Sequence, residues 1–215
     1  MNAFVAIVGR DLARALAGGS IVLPVAFFLL VATLYPFAVG PDAALLTRTG
    51  GGMLWVAALL AALLPVDRLV TPDMSGGVID QLAVRGVSEE IIVSAKLLAH
   101  WIGFALPLML AAVPASALLR LDGAQLLRLE LGLLAGTPGL AALGMLVACL
   151  TTGLRGATAL TGLLMLPLAI PILIFGAGSL APVDGGALKL LAAASMLLVA
   201  ITPFAGGAAL RAGRE

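Results

Sequence analysis

The chain has 215 residues; only 11% are charged and 62% are hydrophobic, with a mean hydropathy of +1.18. A water-soluble domain of this size carries about a quarter charged residues, so the apolar excess here must face lipid. Twelve basic and eleven acidic residues leave a net charge of +1, which argues against nucleic acid as a partner. Cys149 is the sole cysteine, so no intramolecular disulfide can form.

Residues 1–19 open the chain with Phe4, Val5, Val8, Leu12, Ala15 and Leu16 on one helical face and Arg10 and Arg14 opposite. That pattern predicts an amphipathic helix lying in the membrane interface. The first apolar run begins at Ile21. Its end, Ala38–Gly40, imitates a small-residue cleavage site, but the long hydrophobic programme behind it marks the run as a retained span.

Six stretches lack any ionisable residue: Ile21–Gly40, Thr49–Val66, Ile102–Leu119, Leu131–Leu154, Ala157–Gly178 and Leu190–Leu210. A spanning helix needs about 17 to 25 apolar residues. The third run can borrow Leu97–Trp101 from the segment before it. None shows the alternation of a membrane β-strand. The expected fold is all-α and polytopic, with six transmembrane helices in a single domain, 1–215.

Lys and Arg set the orientation. With the N-terminus inside, Arg10, Arg14, Arg68, Arg85, Lys96, Arg155, Arg211 and Arg214 are cytoplasmic, and only Arg48, Arg120, Arg128 and Lys189 lie opposite. The bias predicts both termini in the cytoplasm. Arg120, Asp122, Arg128 and Glu130 cluster at the outer edge of the fourth span, where long side chains can snorkel to water. Tyr35, Phe37, Trp55 and Trp101 stand near span ends, as interfacial anchors or as packing residues. Prolines 24, 36, 107, 114, 138, 167, 171 and 203 fall inside the runs and predict kinks. Gly132-Leu-Leu-Ala-Gly136 is a GxxxG spacing that permits close helix approach.

One long hydrophilic segment, residues 67–96, separates the second and third runs and is cytoplasmic by the charge count. Thr71-Pro72-Asp73 starts a turn. Met74–Val84 follows as a short helix with Val78, Ile79 and Leu82 on one side and Asp80, Gln81 and Arg85 elsewhere. Gly86 ends it, Ser88 can cap the next helix, and Glu89 and Glu90 suit that helix's N-terminal dipole. Such a helix can rest on lipid or dock on a partner; the scarcity of Lys and Arg favours docking.

Candidate chemistry is thin. No GxxxxGK[ST] is present, so ATP is not bound through a P-loop. His100 is the only histidine and no Cys-x-x-Cys-His occurs. The six runs hold no ionisable residue of the kind coupled transporters keep near the midplane. The pattern is that of a non-catalytic subunit driven from outside.

The chain resembles the CcmB family, the membrane permease subunit of the ABC complex in cytochrome c maturation, over nearly its whole length. The resemblance rests on Thr33-Leu-Tyr-Pro-Phe-Ala-Val-Gly-Pro41, Gly52-Met-Leu-Trp-Val-Ala-Ala-Leu-Leu60, the Asp-Gln-Leu run at Asp80 and Ala95-Lys-Leu-Leu-Ala-His-Trp101. It continues in Gly136-Thr-Pro-Gly139, Leu166-Pro-Leu-Ala-Ile-Pro-Ile172, Pro182-Val-Asp-Gly185, Thr202-Pro-Phe-Ala and Ala209-Leu-Arg211. It implies an inner-membrane location, a partner ATPase (CcmA) that carries the ATP, and two permease copies per complex. It also implies CcmC, CcmD and the haem chaperone CcmE as neighbours that handle haem, with no cofactor on this chain. ATP hydrolysis would then drive release of the haem-loaded chaperone, a role historically called haem export.

By the same resemblance, the loop 67–96 holds the coupling helix seated on the ATPase. Its candidate contact residues are Asp73, Gly77, Val78, Ile79, Asp80, Gln81, Leu82 and Arg85. Two features depart from the family: Asp80 stands where Glu is common, and Arg85-Gly86 replaces an apolar–proline step. The alternative is the permease of another ABC exporter, moving a lipid or small hydrophobic molecule.

Overall fold

The computed structural model describes residues 3–19, 21–40, 42–154, 157–181 and 185–213, the side chains of 157–159 excepted. Arg155 and Arg214 of the charge count, and Asp184 of the Pro182–Gly185 motif, lie outside the described residues. In chain order the helices are α1 Ala3–Ala17, α2 Val22–Val39, α3 Ala43–Leu63, α4 Thr71–Ser75, α5 Val78–Val84, α6 Glu89–Leu118, α7 Gly123–Thr151, α8 Ala157–Gly178 and α9 Gly186–Ala212. A 3-10 turn, Val66–Arg68, links α3 to α4. Helices α2, α3, α6, α7, α8 and α9 are each long and apolar enough to cross a membrane. No strand occurs among the described residues. The all-α, six-span architecture follows from the need to satisfy every backbone polar group within its own segment in lipid.

Several spans outgrow the charge-free runs. Helix α3 starts before Thr49 and takes in Arg48, α6 carries Glu89, Glu90 and Lys96 in its first turns, and α7 includes Arg128 and Glu130. A charge ends a lipid-facing run but not a helix; caps do that. Asp42 accepts hydrogen bonds from the Ala44 and Leu45 N–H groups, and Asp122 with Gln125 forms a capping box ahead of α7. Arg128 Nε and Glu130 Oε1 are buried without a hydrogen-bond partner, although both residues are only half-buried.

Helix α7 is the core of the bundle. In its most apolar stretch 72% of residues are buried, against 17% for α2 and α9, and it packs on α3, α6, α8 and α9. Its seam with α9 is built from small residues and hydroxyls. Gly139 N–H, one residue after Pro138, donates to Ser195 Oγ at 2.7 Å, and Thr202 Oγ1 donates to the Ala142 carbonyl at 3.2 Å. Proline disturbs the local ladder, and Ser195 supplies the acceptor from the neighbouring helix. Pro24, by contrast, sits in the first turn of α2, where its missing N–H would have no partner anyway.

Trp55 is no interfacial anchor. It is fully buried, and its indole fills a notch cut by three glycines from two helices. A Cβ at Gly132 would lie 3.2 Å from the ring, at Gly136 2.6 Å, and at Gly176 2.7 Å. The GxxxG of α7 therefore admits an aromatic side chain of α3. Of the other three aromatics, Phe37 is exposed, Tyr35 Oη donates to Thr49 Oγ1 at 2.8 Å, and Trp101 Nε1 donates to Thr137 Oγ1 at 3.2 Å.

Candidate functional site

The hydrophilic segment folds against the end of the bundle that carries Lys96. It does not form one helix over Met74–Val84. Gly76 and Gly77 break it, with Gly77 at φ +67, a left-handed conformation that side-chain-bearing residues rarely adopt. The products are α4, opened by Thr71-Pro72, and α5, closed at Gly86 with φ +78. Ser88 occupies the cap position of α6 but makes no side-chain capping bond. The acidic first turn of α6 is held instead by Arg211 of α9, whose Nη1 lies 2.6 Å from Glu90 Oε1 and 3.1 Å from Glu89 Oε2.

The eight candidate contact residues divide sharply. Ile79 has no exposed surface, and Leu82 packs partly buried against the same core, so the apolar side of α5 meets its own chain. Val78 and Gly77 are half-buried; Asp80, Gln81 and Arg85 are exposed. Val84, which the sequence pattern did not single out, is 89% exposed. Asp80, Gln81, Val84 and Arg85 fall within one outward face of α5 at 100° per residue. The i, i+4 spacing of Asp80 and Val84 was the available signal.

Asp73 is the eighth, and it points inward. Its carboxylate receives Lys96 Nζ at 2.6 Å, Arg14 Nη1 at 2.8 Å and Arg10 Nη2. Lys96 Nζ also reaches Asp11 Oδ2 at 2.9 Å and donates to the Leu69 carbonyl at 3.0 Å, while Arg10 Nε donates to Asp11 Oδ1 at 2.7 Å. Lys96 and Asp73 are both buried. Burial alone would lower the Arg10 pKa, but the hydrogen bond and charge of Asp11, then those of Asp73, outweigh it and the pKa is raised. Arg10 and Arg14 therefore clamp α1 to α4 through Asp73, and the Asp11–Lys96 pair ties α1 to α6.

The apolar surface of α1 is split accordingly. Ile7 is buried and Phe4 and Val8 pack on the bundle, whereas Val5 and Leu16 stay exposed. The helix has one apolar flank against protein and another free for lipid, which suits an interfacial position.

His100 lies on α6 one turn deeper than Lys96. Its ring stacks on Phe104 with centroids 5.8 Å apart, and its Nε2 is buried without a hydrogen-bond partner. No group of three His, Cys, Asp or Glu side chains suited to a metal ion occurs among the described residues.

Six helices long and apolar enough to cross a membrane, with α5 built into one end of the bundle and α1 pinned beside it, define a multi-pass membrane protein. The model of the CcmB protein family matches residues 2–213, and the chain belongs to that family. It is similar to heme exporter protein B of Rhodobacter capsulatus, 45% identical over 96% of this chain and 97% of that protein. The protein of the same name from Bradyrhizobium diazoefficiens is 43% identical over the full length of both. That of Escherichia coli K12 is 40% identical over 87% of this chain and 88% of the relative.

Proposed function

We propose that the chain is the permease subunit of a haem-exporter-type ABC transporter in c-type cytochrome biogenesis, with the ATPase on a separate subunit, CcmA. Two copies sit in the bacterial inner membrane with both termini cytoplasmic, beside CcmC, CcmD and the chaperone CcmE. Haem stays with those neighbours. ATP hydrolysis, transmitted through this chain, releases the haem-loaded chaperone.

The observation that carries the coupling role is the outward face of α5. A helix of seven residues is too short to be stable alone, yet this one is seated through Ile79 with Asp80, Gln81, Val84 and Arg85 directed away from its own core. Its neighbour α4 is fixed to α1 and α6 through Asp73. A push on α5 therefore has a short, charge-locked route into the spanning helices. Membership of the CcmB family and the likeness to heme exporter protein B supply the rest of the reading.

The test is co-purification of the ATPase with the whole complex. Burying an unpaired charge in a protein contact costs several kcal/mol, enough to weaken association by a factor on the order of hundreds. Val84→Arg should abolish co-purification while the permease still inserts. Asp80→Asn should be milder, because a rim charge acts mainly on association rate and salt dependence. If α5 only rests on lipid, the arginine can snorkel; a Val84→Arg complex that keeps its ATPase and supports cytochrome c maturation defeats the assignment. Leu82→Arg should lose the partner too, but through damage to the permease's own packing.

A further inference from the structure

A cavity of about 290 Å3 opens beside the charge cluster, between α1, the start of α2, the α3–α4 link and α6. Its chemistry is graded along α6. Lys96, His100 and Phe104 succeed one another at i, i+4 and i+8 and all line it, so each step is one turn, about 6 Å, deeper into the bundle. Arg14 and Arg68 stand at the polar end with Lys96; Ile21, Pro24, Phe104 and Met145 supply an apolar wall. Gly103 leaves room at this wall, since a Cβ there would already touch Ala15, Ile21 and Leu12 at 3.8 Å.

One feature of this cavity is left unanswered by the protein itself, and that is its charge. Arg14, Arg68 and Lys96 line the cavity against only two carboxylates, Asp11 and Asp73, and both are already engaged by Lys96, Arg10 and Arg14. Arg68 is exposed and makes no ion pair among the described residues. An ammonium group entering here finds no uncommitted carboxylate; a single negative charge finds an uncommitted guanidinium.

The volume lies near the lower bound of ligand-sized pockets, about 300–1,000 Å3. It admits a headgroup and the first methylenes of its chains, not a whole amphiphile. The cavity lies at the level where the charge-free runs give way to Lys96 and Arg68, beside the α1 flank left free for lipid. Basic pockets between spanning helices at this depth suit anionic headgroups.

We infer that this cavity binds the phosphodiester headgroup of an anionic bilayer lipid. Arg68 pairs with the phosphate, and Phe104 and Met145 receive the start of the acyl region. Such a lipid would fill the space between the interfacial helix and α6 and stiffen the end of the bundle from which α5 hangs.

Native mass spectrometry of the full chain in mixed micelles tests this, with phosphatidylglycerol and phosphatidylethanolamine as competing probes. Phosphatidylglycerol should be retained preferentially, and Arg68→Gln should lower its retention by about fivefold, the effect of one charge near a membrane surface. Arg68 is exposed, so its replacement leaves the fold intact. Arg48→Gln at the other end of α3 should leave retention unchanged. Equal retention of the two lipids, or retention unchanged in Arg68→Gln, would overturn the assignment. So would full thermal protection by inorganic phosphate alone, which would make the site one for a soluble anion. A Soret band that vanishes in His100→Leu would give the site to haem and overturn it equally.

Discussion

Asp73 accepts from three cations on two other helices, and its neighbours differ in how far they can retreat. Arg14 is exposed and Arg10 partly so, and both can swing to water if the carboxylate loses its charge; Lys96 is buried and cannot. Breaking a buried pair by removing one partner costs about 3–5 kcal/mol, because it strands the other charge. Asp73→Asn should therefore lower the unfolding midpoint of the purified protein substantially, with Asp11 as the only carboxylate left to Lys96 among the described residues. The double variant Asp73→Asn/Lys96→Met should recover much of that loss. Equal destabilisation of the single and double variants would show that Lys96 is not what Asp73 is there to neutralise. None of this was visible along the chain. Arg10 and Asp73 are 63 residues apart, so the periodicity of α1 marked its arginines as polar without revealing a buried carboxylate to meet them.

At the level of elements, the spans were legible and their seating was not. Lipid demands long unbroken apolar helices, a demand written locally in the sequence, and each charge-free run supplied the body of one spanning helix. The GxxxG of α7 was legible as small residues at one spacing, but what approaches it comes from α3, with Gly176 of α8 completing the notch. Likewise, α5 declared an apolar side without declaring whether that side met a partner or its own bundle. Ile79 answers for the bundle. The notch is a strong test of the packing. A Cβ at Gly136 or Gly176 would stand 2.6 to 2.7 Å from a ring enclosed on every side. Gly136→Ala and Gly176→Ala should each cost about 1–3 kcal/mol, read as a lower melting temperature. In a Trp55→Ala background the same substitutions should be close to neutral, because the clash partner is gone. Alanine tolerated at both positions beside Trp55 would contradict this geometry.

For the whole molecule, orientation rests on the eight-to-four distribution of Lys and Arg. Single cysteines at Arg155 and Asp184, in a Cys149→Ala background, should respond oppositely to an impermeant thiol reagent added to intact cells. The Asp184 position should label and the Arg155 position should be protected; the reverse would invert the protein in the membrane. The order of stability within the chain follows from how α5 is held. Its seven residues lie between Gly77 and Gly86, both with positive φ, and one fully buried side chain, Ile79, anchors them. Local opening of such a unit needs far less free energy than opening α7 at the centre of the bundle. In deuterated buffer the α5 amides should therefore exchange first among the helices and those of α7 last. If an ATPase seats on α5 as proposed, its binding should make α5 slow, turning the fastest-exchanging helix into a direct reporter of whether the complex is assembled.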